Sequence, residues 1–456
     1  MRETDHARDR RSMGTEYDIL IENGLVLTLG PDAAAIPRGF VAVKGQNIVA
    51  VGSMDETQAL GSASKVIDAT RHLVMPGLVN AHTHAAMTAF RGLADDLPLM
   101  TWLNEHIFPA EAAHVGPELV YWATKLALAE MIQSGTTCVV DGYFCENEAA
   151  RAVSEVGLRA VLAQGVVDFP APGVPDPAKN IEAARAFIER WQGVSERLAP
   201  SVFCHAPYTC SASTLKRGKA LARQYGVLFQ IHVAETRSEV EQMISEQGVR
   251  PVTFLDRLGL LDEKTLAVHC VHADAEEVAL LAARGTPVAV CTESNMKLAS
   301  GLAPLPAMLR AGVKVALGTD GPASNNDLNM FGEMRAAALM HKVASADPTA
   351  LPASQVVSLA VDGGAAALGM GDRIGRLAPG YRADLILLDL DRPNLQPLYH
   401  PRSHLVYAAT GREVKTVIVD GRILMEDGQL TCLDLEETMS RMRTISNSIK
   451  SYQKFK

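Results

Sequence analysis

Short apolar runs alternate with longer segments of helical spacing through the middle of the chain. Eight such runs follow one another: LVMPGLVNAHTH, TTCVVDGYF, RAVLAQGVVDF, SVFCHAPYTC, LFQIHVAE, TLAVHCVHA, PVAVCTES and KVALGTDG. Some of these runs are separated by segments in which apolar residues recur every three or four positions, as in a helix. Examples are PELVYWATKLALAEMIQSG and DAEEVALLAARG. Eight strands that alternate with helices over roughly 290 residues predict a (β/α)8 barrel. An open doubly wound sheet fits less well, because no glycine-rich phosphate turn follows the first strand.

The two ends of the chain have a different pattern. Short β-rich runs near the start, DILIENGLVLTLG and GFVAVKGQNIVAVG, have counterparts near the end in ADLILLDL and VKTVIVDGRILMEDGQL. The Asn-Gly and Asp-Gly pairs within these runs indicate hairpin turns. We therefore predict that both ends form one small β-sandwich domain. The predicted division is a leader at 1–16, the small domain at 17–75 and 375–430, the barrel at 76–374, and a C-terminal helix at 431–456.

Composition narrows the functional class. The 456 residues are 48% hydrophobic with a net charge of −9, which argues against binding nucleic acid or an anionic membrane. No apolar run approaches the ~18 residues of a membrane span, and the charged start MRETDHARDRRSMG predicts a leader rather than an export signal. The seven cysteines have no paired spacing, which predicts a reducing, cytoplasmic location.

Polar residues end most of the predicted barrel strands. The carboxyl ends of barrel strands and the loops that follow them form the active face of such folds. His82 and His84 are two residues apart, so on a strand their side chains leave the same face. His232, His269 and Asp320 end three other runs.

Burying these imidazoles and a carboxylate together is costly unless a cation compensates the carboxylate. Three of these four histidines together with the carboxylate suit Zn²⁺ or Fe²⁺, with a coordination position left for water. The alternative is that all of these side chains are ordinary core residues with satisfied hydrogen bonds.

The motifs PGLVNAHTHAAMTAFRG, HVAE, HCVH and LGTDGPASNN resemble the amidohydrolase superfamily. Within it, they are similar to the 5-methylthioadenosine/S-adenosylhomocysteine deaminases and the related chlorohydrolases. The resemblance extends from about Tyr17 to about Leu430. It implies a barrel with a small β-domain, a catalytic metal, and hydrolysis of a group on a nitrogen heterocycle.

The same resemblance implies roles for individual residues. His82, His84, His232 and Asp320 match metal ligands, Glu235 matches a proton-shuttling acid, and His269 matches a residue that positions water. Glu111 and His205 match substrate-binding positions. Trp102 offers a flat apolar surface for a base. Gln164 stands where the resembled deaminases often have arginine, which weakens the case for a substrate with an anionic tail.

Together these residues predict a hydrolytic mechanism, and two other functions stay open as alternatives. Metal-activated hydroxide would attack the aminated carbon of an adenine nucleoside and release ammonia, with acid–base help from Glu235 and Asp320. One metal ion, zinc or else iron, is expected, because the fourth strand lacks the lysine of two-metal relatives. The alternatives are a hydrolase of another ring, such as guanine or an s-triazine, and a non-catalytic scaffold. The resemblance also implies a homo-oligomer, either a dimer or a tetramer.

Overall fold

The computed structural model describes residues 16–30, 35–56 and 60–453. The predicted leader therefore lies, except for residue 16, outside the described residues. No helix in the described ranges combines the length and the apolar character needed to cross a membrane.

Eighteen strands run through the described part of the chain. In chain order they are β1 (Tyr17–Leu27), β2 (Ala35–Lys44), β3 (Asn47–Ser53), β4 (Ala63–Asp68), β5 (His72–Pro76), β6 (Leu78–Thr83), β7 (Thr136–Tyr143), β8 (Arg159–Val166), β9 (Leu198–Pro200), β10 (Val202–Cys204), β11 (Phe229–Val233), β12 (Thr265–His269), β13 (Val288–Val290), β14 (Val315–Leu317), β15 (Leu385–Asp389), β16 (Val414–Val419), β17 (Arg422–Glu426) and β18 (Gln429–Leu430).

Helices connect the barrel strands and cover the outside. They are α1 (Leu99–Thr101), α2 (Phe108–His114), α3 (Pro117–Gln133), α4 (Glu146–Val156), α5 (Asn180–Trp191), α6 (Ala212–Tyr225), α7 (Arg237–Gln247), α8 (Pro251–Arg257), α9 (Ala275–Arg284), α10 (Thr292–Lys297), α11 (Leu305–Arg310), α12 (Met330–Ser345), α13 (Ala353–Ala360), α14 (Asp362–Ala367), α15 (Pro401–Tyr407) and α16 (Leu435–Gln453). Three 3₁₀ turns (Ala85–Phe90, Pro177–Lys179 and Pro393–Leu395) and a π-helical segment (Trp102–Ile107) complete the set.

Eight parallel strands form a nearly closed barrel in the order β14-β13-β12-β11-β10-β8-β7-β6, with β9 paired to β8. Each predicted apolar run supplies one of these strands, so the predicted barrel is confirmed. Every residue of β6, β7 and β8 is buried, as expected where helices cover a parallel sheet. Across the seam between β14 and β6, the N–H of Asp320 donates to the carbonyl of His82 at 3.0 Å.

Both ends of the chain meet in one small β-domain, as predicted, and its strands form a single mixed sheet. Its order is β18-β17-β16-β15-β5-β1-β2-β3, with β4 paired to β1. The join is made by β15, which is antiparallel to β5 from the first end and to β16 from the last. The strands therefore form one continuous nine-stranded sheet. The predicted domain boundary at 75/76 falls inside β5, and the exact boundaries stay predictions.

A buried ion cluster joins the barrel to this sheet. Arg159, the first residue of β8, donates to Asp384 from Nε at 2.6 Å and from Nη2 at 3.0 Å, and to Asp420 at 3.0 Å. We call these three residues the arginine cluster. Its side chains are at most 3% exposed. Arg382 and Arg197 lie beside Asp420 at 3.5 Å and 3.7 Å, so both carboxylates are compensated by arginines and need no additional ion.

Candidate active site

Five side chains from four barrel strands or their ends meet on one face of the barrel. We call them the histidine cluster: His82, His84, His232, His269 and Asp320. The Nε2 atoms of His82 and His232 are 3.0 Å apart. Oδ1 of Asp320 lies 3.6 Å from Nε2 of His82 and 3.4 Å from Nε2 of His84. Candidate ligand atoms of His82, His84 and His232 all lie within 4.8 Å of one another, and so do those of His82, His269 and Asp320.

Neighbouring strands orient these ligand atoms. Nδ1 of His84 lies 2.6 Å from the carbonyl of Gly142, so this nitrogen carries the proton and Nε2 faces the cluster with a lone pair. Nδ1 of His269 bonds in the same way to the side-chain oxygen of Asn295 at 3.0 Å. The Oδ2 atom of Asp320 accepts hydrogen bonds from Ser294 at 2.6 Å and Ser324 at 3.1 Å.

Electrostatics explain why the cluster suits a cation. Burial lowers the pKa of His82 to about 4 and also lowers the pKa values of His232 and His269, so these imidazoles are neutral at pH 7. Burial alone would raise the pKa of Asp320, but the hydrogen bond from His82 and the nearby imidazoles hold it below its usual range. Neutral nitrogen donors around an ionised carboxylate match the ligands that Zn²⁺ prefers. The residues present therefore fit a divalent metal.

Glu235 lies beside this cluster on the loop after β11. Its Oε2 is 3.8 Å from Nε2 of His269. Burial, together with the charge of Asp320, raises the pKa of Glu235 to about 8. The loop is held by Glu239, whose carboxylate accepts the backbone N–H groups of Ala234 at 2.8 Å and of Glu235 at 2.7 Å. The carboxyl group of Glu235 is thus protonated at neutral pH and held in a defined place.

A cleft opens above the histidine cluster. Of the predicted site residues, Trp102, Glu111, His205 and Glu235 line it together with most of the cluster. Nδ1 of His205 bonds to Oγ1 of Thr209 at 3.0 Å. The other lining side chains are mainly aromatic or aliphatic: Met87, Leu99, Leu103, Ile107, Phe108, Tyr143, Phe144, Val167, Phe169, Phe203, Tyr208 and Leu298.

One wall of the cleft is the helical segment at 99–114. Its centre is π-helical, and the N–H of Phe108 reaches back five residues to the carbonyl of Leu103. Pro109, which cannot donate a backbone hydrogen bond, follows directly. On the next turn, buried Glu111 accepts a hydrogen bond from the hydroxyl of Tyr143 at 2.6 Å, and burial raises the pKa of Glu111 to about 7.

Gln164 is placed differently from the other predicted site residues. Its side-chain oxygen accepts the backbone N–H of Glu146 at the start of α4, at 3.2 Å, and it is not among the residues that line the cleft. A role for Gln164 in substrate binding stays a prediction without support from this placement.

Sequence reasoning missed three residues that hold the site together. Asp141 accepts hydrogen bonds from Thr83 at 2.7 Å and from the N–H of Ala85 at 2.6 Å, and so fixes the segment that carries His84. Tyr143 contacts Glu111, and Glu239 holds the Glu235 loop. The only sequence signal for the first two was the polar Asp-Gly-Tyr ending of the second barrel strand.

The barrel, the second sheet and the histidine cluster define a class of metal-dependent hydrolases. The profile of the Amidohydrolase family matches residues 73–424. The chain therefore belongs to the amidohydrolase family.

Individual proteins that are similar to the chain belong to a narrower group within the amidohydrolase family. The chain is 48% identical over 433 residues to 5-methylthioadenosine/S-adenosylhomocysteine deaminase of Syntrophobacter fumaroxidans, covering 95% of this chain and 98% of the relative. It is 46% identical over 433 residues to 5-methylthioadenosine/S-adenosylhomocysteine deaminase 1 of Syntrophus aciditrophicus, covering 95% of this chain and 98% of that relative.

Solved structures agree with this fold. The adenosine deaminase of Xanthomonas campestris with bound zinc superposes with a TM-score of 0.93 at 40% identity, over 95% of this chain and 99% of that one. Atrazine chlorohydrolase TrzN of Arthrobacter aurescens complexed with zinc gives a TM-score of 0.86 at 22% identity, over 94% of this chain and all of that one (100%), and shows the fold alone.

Proposed function

We propose that the chain is a metal-dependent hydrolytic deaminase of adenine nucleosides. The substrate class is 5′-methylthioadenosine, S-adenosylhomocysteine or adenosine, and the products are ammonia and the corresponding inosine analogue. One observation carries the proposal: a cation-binding donor set and a protonated, buried Glu235 lie side by side in one apolar cleft. The names of relatives that are 46–48% identical over nearly the whole chain support the same substrate class.

His82, His84, His232 and Asp320 would hold one divalent ion, which we propose to be zinc. Bound there, such an ion supplies Lewis acidity that makes water a nucleophile near neutral pH. The zinc-bound deaminase of Xanthomonas campestris supports this choice of metal.

The chain's own residues handle the protons. Asp320 is ionised in the cluster, and its Oδ1 can accept the proton that the attacking water loses. Nε2 of His269 faces the same space with a lone pair, because its Nδ1 is engaged by Asn295, and so it can orient that water. Glu235 is protonated at neutral pH and can donate to a ring nitrogen, which makes the neighbouring carbon more electrophilic. The proton that Asp320 accepts can then pass to the departing amino group, which leaves as ammonia, and Glu235 regains its proton from the new hydroxyl group on the ring carbon.

The cleft wall would bind the nucleoside. Trp102 offers a flat apolar surface to the purine, and His205 lies beside His232 with a ring-centroid distance of 4.9 Å. Glu111, held by Tyr143, can accept hydrogen bonds from the two ribose hydroxyls. These substrate-binding roles are proposals.

The proposal is tested with a substrate panel. The metal-loaded protein is incubated with adenosine, 5′-methylthioadenosine, S-adenosylhomocysteine, guanine and an s-triazine, and ammonia and ultraviolet absorbance are followed. We expect ammonia from at least one adenosine. Activity only on guanine or the triazine would show that the substrate is another ring and not an adenine nucleoside. A protein with no activity and no tightly bound metal would be a non-catalytic scaffold.

We also propose a homo-oligomer, a cytoplasmic location, and the division into barrel and small domain given above. The seven free cysteines support a reducing compartment. Light scattering of the purified protein tests the oligomer, and a monomer at micromolar concentration would contradict it.

A further inference from the structure

We propose that the cleft favours adenine nucleosides whose 5′ substituent is uncharged and apolar, and discriminates against a zwitterionic amino-acid tail at that position. This inference rests on the proposed function, since it takes the purine to lie at the histidine cluster and the ribose to lie at Glu111. It separates two substrates, 5′-methylthioadenosine and S-adenosylhomocysteine, that share the same ring and ribose.

Covalent structure fixes where the 5′ group leaves the ribose. The purine must reach the histidine cluster, and the ribose diol must reach Glu111. These two contacts fix the positions of both the purine and the ribose in the cleft. The C5′ atom is only two bonds from the diol carbon C3′. The 5′ substituent therefore begins within a few bond lengths of the diol and passes through the part of the cleft that surrounds Glu111.

That part of the cleft is aromatic. Phe108 lies three residues before Glu111, on the same side of α2. Its ring centroid is 5.7 Å from that of Phe169 on the loop after β8. Tyr143, which donates to Glu111, has its centroid 5.3 Å from that of Phe144. All four rings line the cleft. A thioether with a short alkyl group matches such a surface, because apolar area leaves water on both sides.

The described side chains around Glu111 offer no basic group to a carboxylate. No lysine or arginine occurs among the described residues that line the cleft. Glu111, Glu235 and Asp320 are the acidic groups there. The charged neighbour of Phe169 along the chain is Asp168, whose carboxylate accepts hydrogen bonds from Ser211 and Thr214.

A tail carboxylate against these rings would lose water without gaining a cation, which is costly. Its ammonium group could approach an acidic side chain, but the carboxylate on the same carbon would then face that acid too. The cleft thus penalises the charge of the tail rather than its length.

A series of three substrates separates charge from length with the unmodified protein. The kcat/KM values for 5′-methylthioadenosine, 5′-deoxy-5′-(butylthio)adenosine and S-adenosylhomocysteine are measured by ammonia release at pH 7.5. We expect the two alkylthio nucleosides to agree within about threefold and S-adenosylhomocysteine to be at least about tenfold poorer, as for an unpaired buried charge. An S-adenosylhomocysteine value equal to or above the methylthio value overturns the inference.

Two further outcomes are also decisive. A butylthio value as low as that of S-adenosylhomocysteine would mean that length is limiting, which overturns the inference as well. Ammonia from none of the three nucleosides, nor from adenosine, would contradict the proposed function itself and so is distinguishable from failure of the inference.

A charge added to the wall gives an independent test. Phe169 is only partly buried, so Phe169→Arg is compatible with folding, and Phe169→Leu is the matched control that removes the ring without adding charge. We expect the ratio of kcat/KM for S-adenosylhomocysteine over 5′-methylthioadenosine to rise at least about fivefold in the arginine variant relative to the leucine variant, through a charge-assisted hydrogen bond. Equal ratios in the two variants, both folded by circular dichroism, would overturn the inference.

Discussion

The histidine cluster and the arginine cluster are both buried groups of ionisable side chains, yet they differ in charge compensation. In the arginine cluster, Arg159 lies 2.6 Å and 3.0 Å from its two carboxylate partners, so charges of both signs are present. In the histidine cluster, the ring nitrogens of several imidazoles converge around the ionised Asp320, and burial keeps His82, His232 and His269 neutral, so no arginine or lysine balances this carboxylate. The first arrangement is complete as it stands, whereas the second requires a cation. Burial of charge alone therefore does not mark a functional site, but burial without a counter-charge does.

The strongest test of this difference is Asp320→Ala. We expect kcat/KM to fall by more than about 10⁴-fold, the upper end of what a general base alone contributes, because Asp320 would serve both as ligand and as proton acceptor. Bound metal, measured by mass spectrometry, should fall as well, while the thermal unfolding of the metal-free protein changes little. Turnover that survives this substitution would contradict the proposed role of the cluster.

Glu235→Gln separates proton transfer from metal binding. The amide cannot donate an acidic proton, so we expect kcat to fall about 10²–10⁴-fold. Metal content should be unchanged, because Glu235 lies next to the cluster without belonging to the proposed ligand set. If the variant loses metal while kcat per metal-bound molecule stays normal, Glu235 is a ligand and the assignment is wrong.

Arg159→Met tests the other cluster. Removing the guanidinium leaves Asp384 and Asp420 buried with less compensation, and we expect a loss of about 3–5 kcal/mol in the free energy of unfolding, measured in urea. The matched control is Arg38→Met, which breaks an ion pair with Asp55 whose side chains are 57% and 69% exposed and should cost less than about 1 kcal/mol. The kcat of folded Arg159→Met should match that of the unmodified protein, and a specific loss of kcat would contradict the contrast between the clusters.

The smallest expected effect concerns Glu111 and pH. Its pKa of about 7 means that the ionised form, which accepts hydrogen bonds from the diol, dominates above pH 7 and is lost below it. KM for adenosine should therefore rise about tenfold for each pH unit well below 7. In Glu111→Gln this rise should vanish, because an amide does not titrate in this range. The same pH dependence in both variants would exclude Glu111 as its source.

Much of this arrangement was predictable from short stretches of sequence. Each apolar run gave its barrel strand, because a strand buried on both faces is apolar along most of its length. His82 and His84 share a face because side chains alternate along a strand. The position of Glu235 after His232 placed both groups at one strand end, where the cleft opens.

Other parts could not be derived in this way. Gln164 lies near the end of a barrel strand, as His82 and His232 do, yet its side chain accepts a hydrogen bond from the first N–H of α4 instead of lining the cleft. Tyr143 and Glu111 are 32 residues apart, and their hydrogen bond depends on how the segment at 99–114 folds over β7. No local pattern predicts that approach, because it depends on packing between elements distant along the chain.

The sequence by itself determined which strands exist, which residues end them, and which donor types reach the active face, because backbone alternation and burial are local properties. Tertiary structure decided which of these groups meet. Closure of the barrel brings Asp320 beside His82, and burial protonates Glu235 and keeps His82, His232 and His269 neutral. Distances of a few ångströms and the loss of water set these charges, and both arise only when the remote strands pack together.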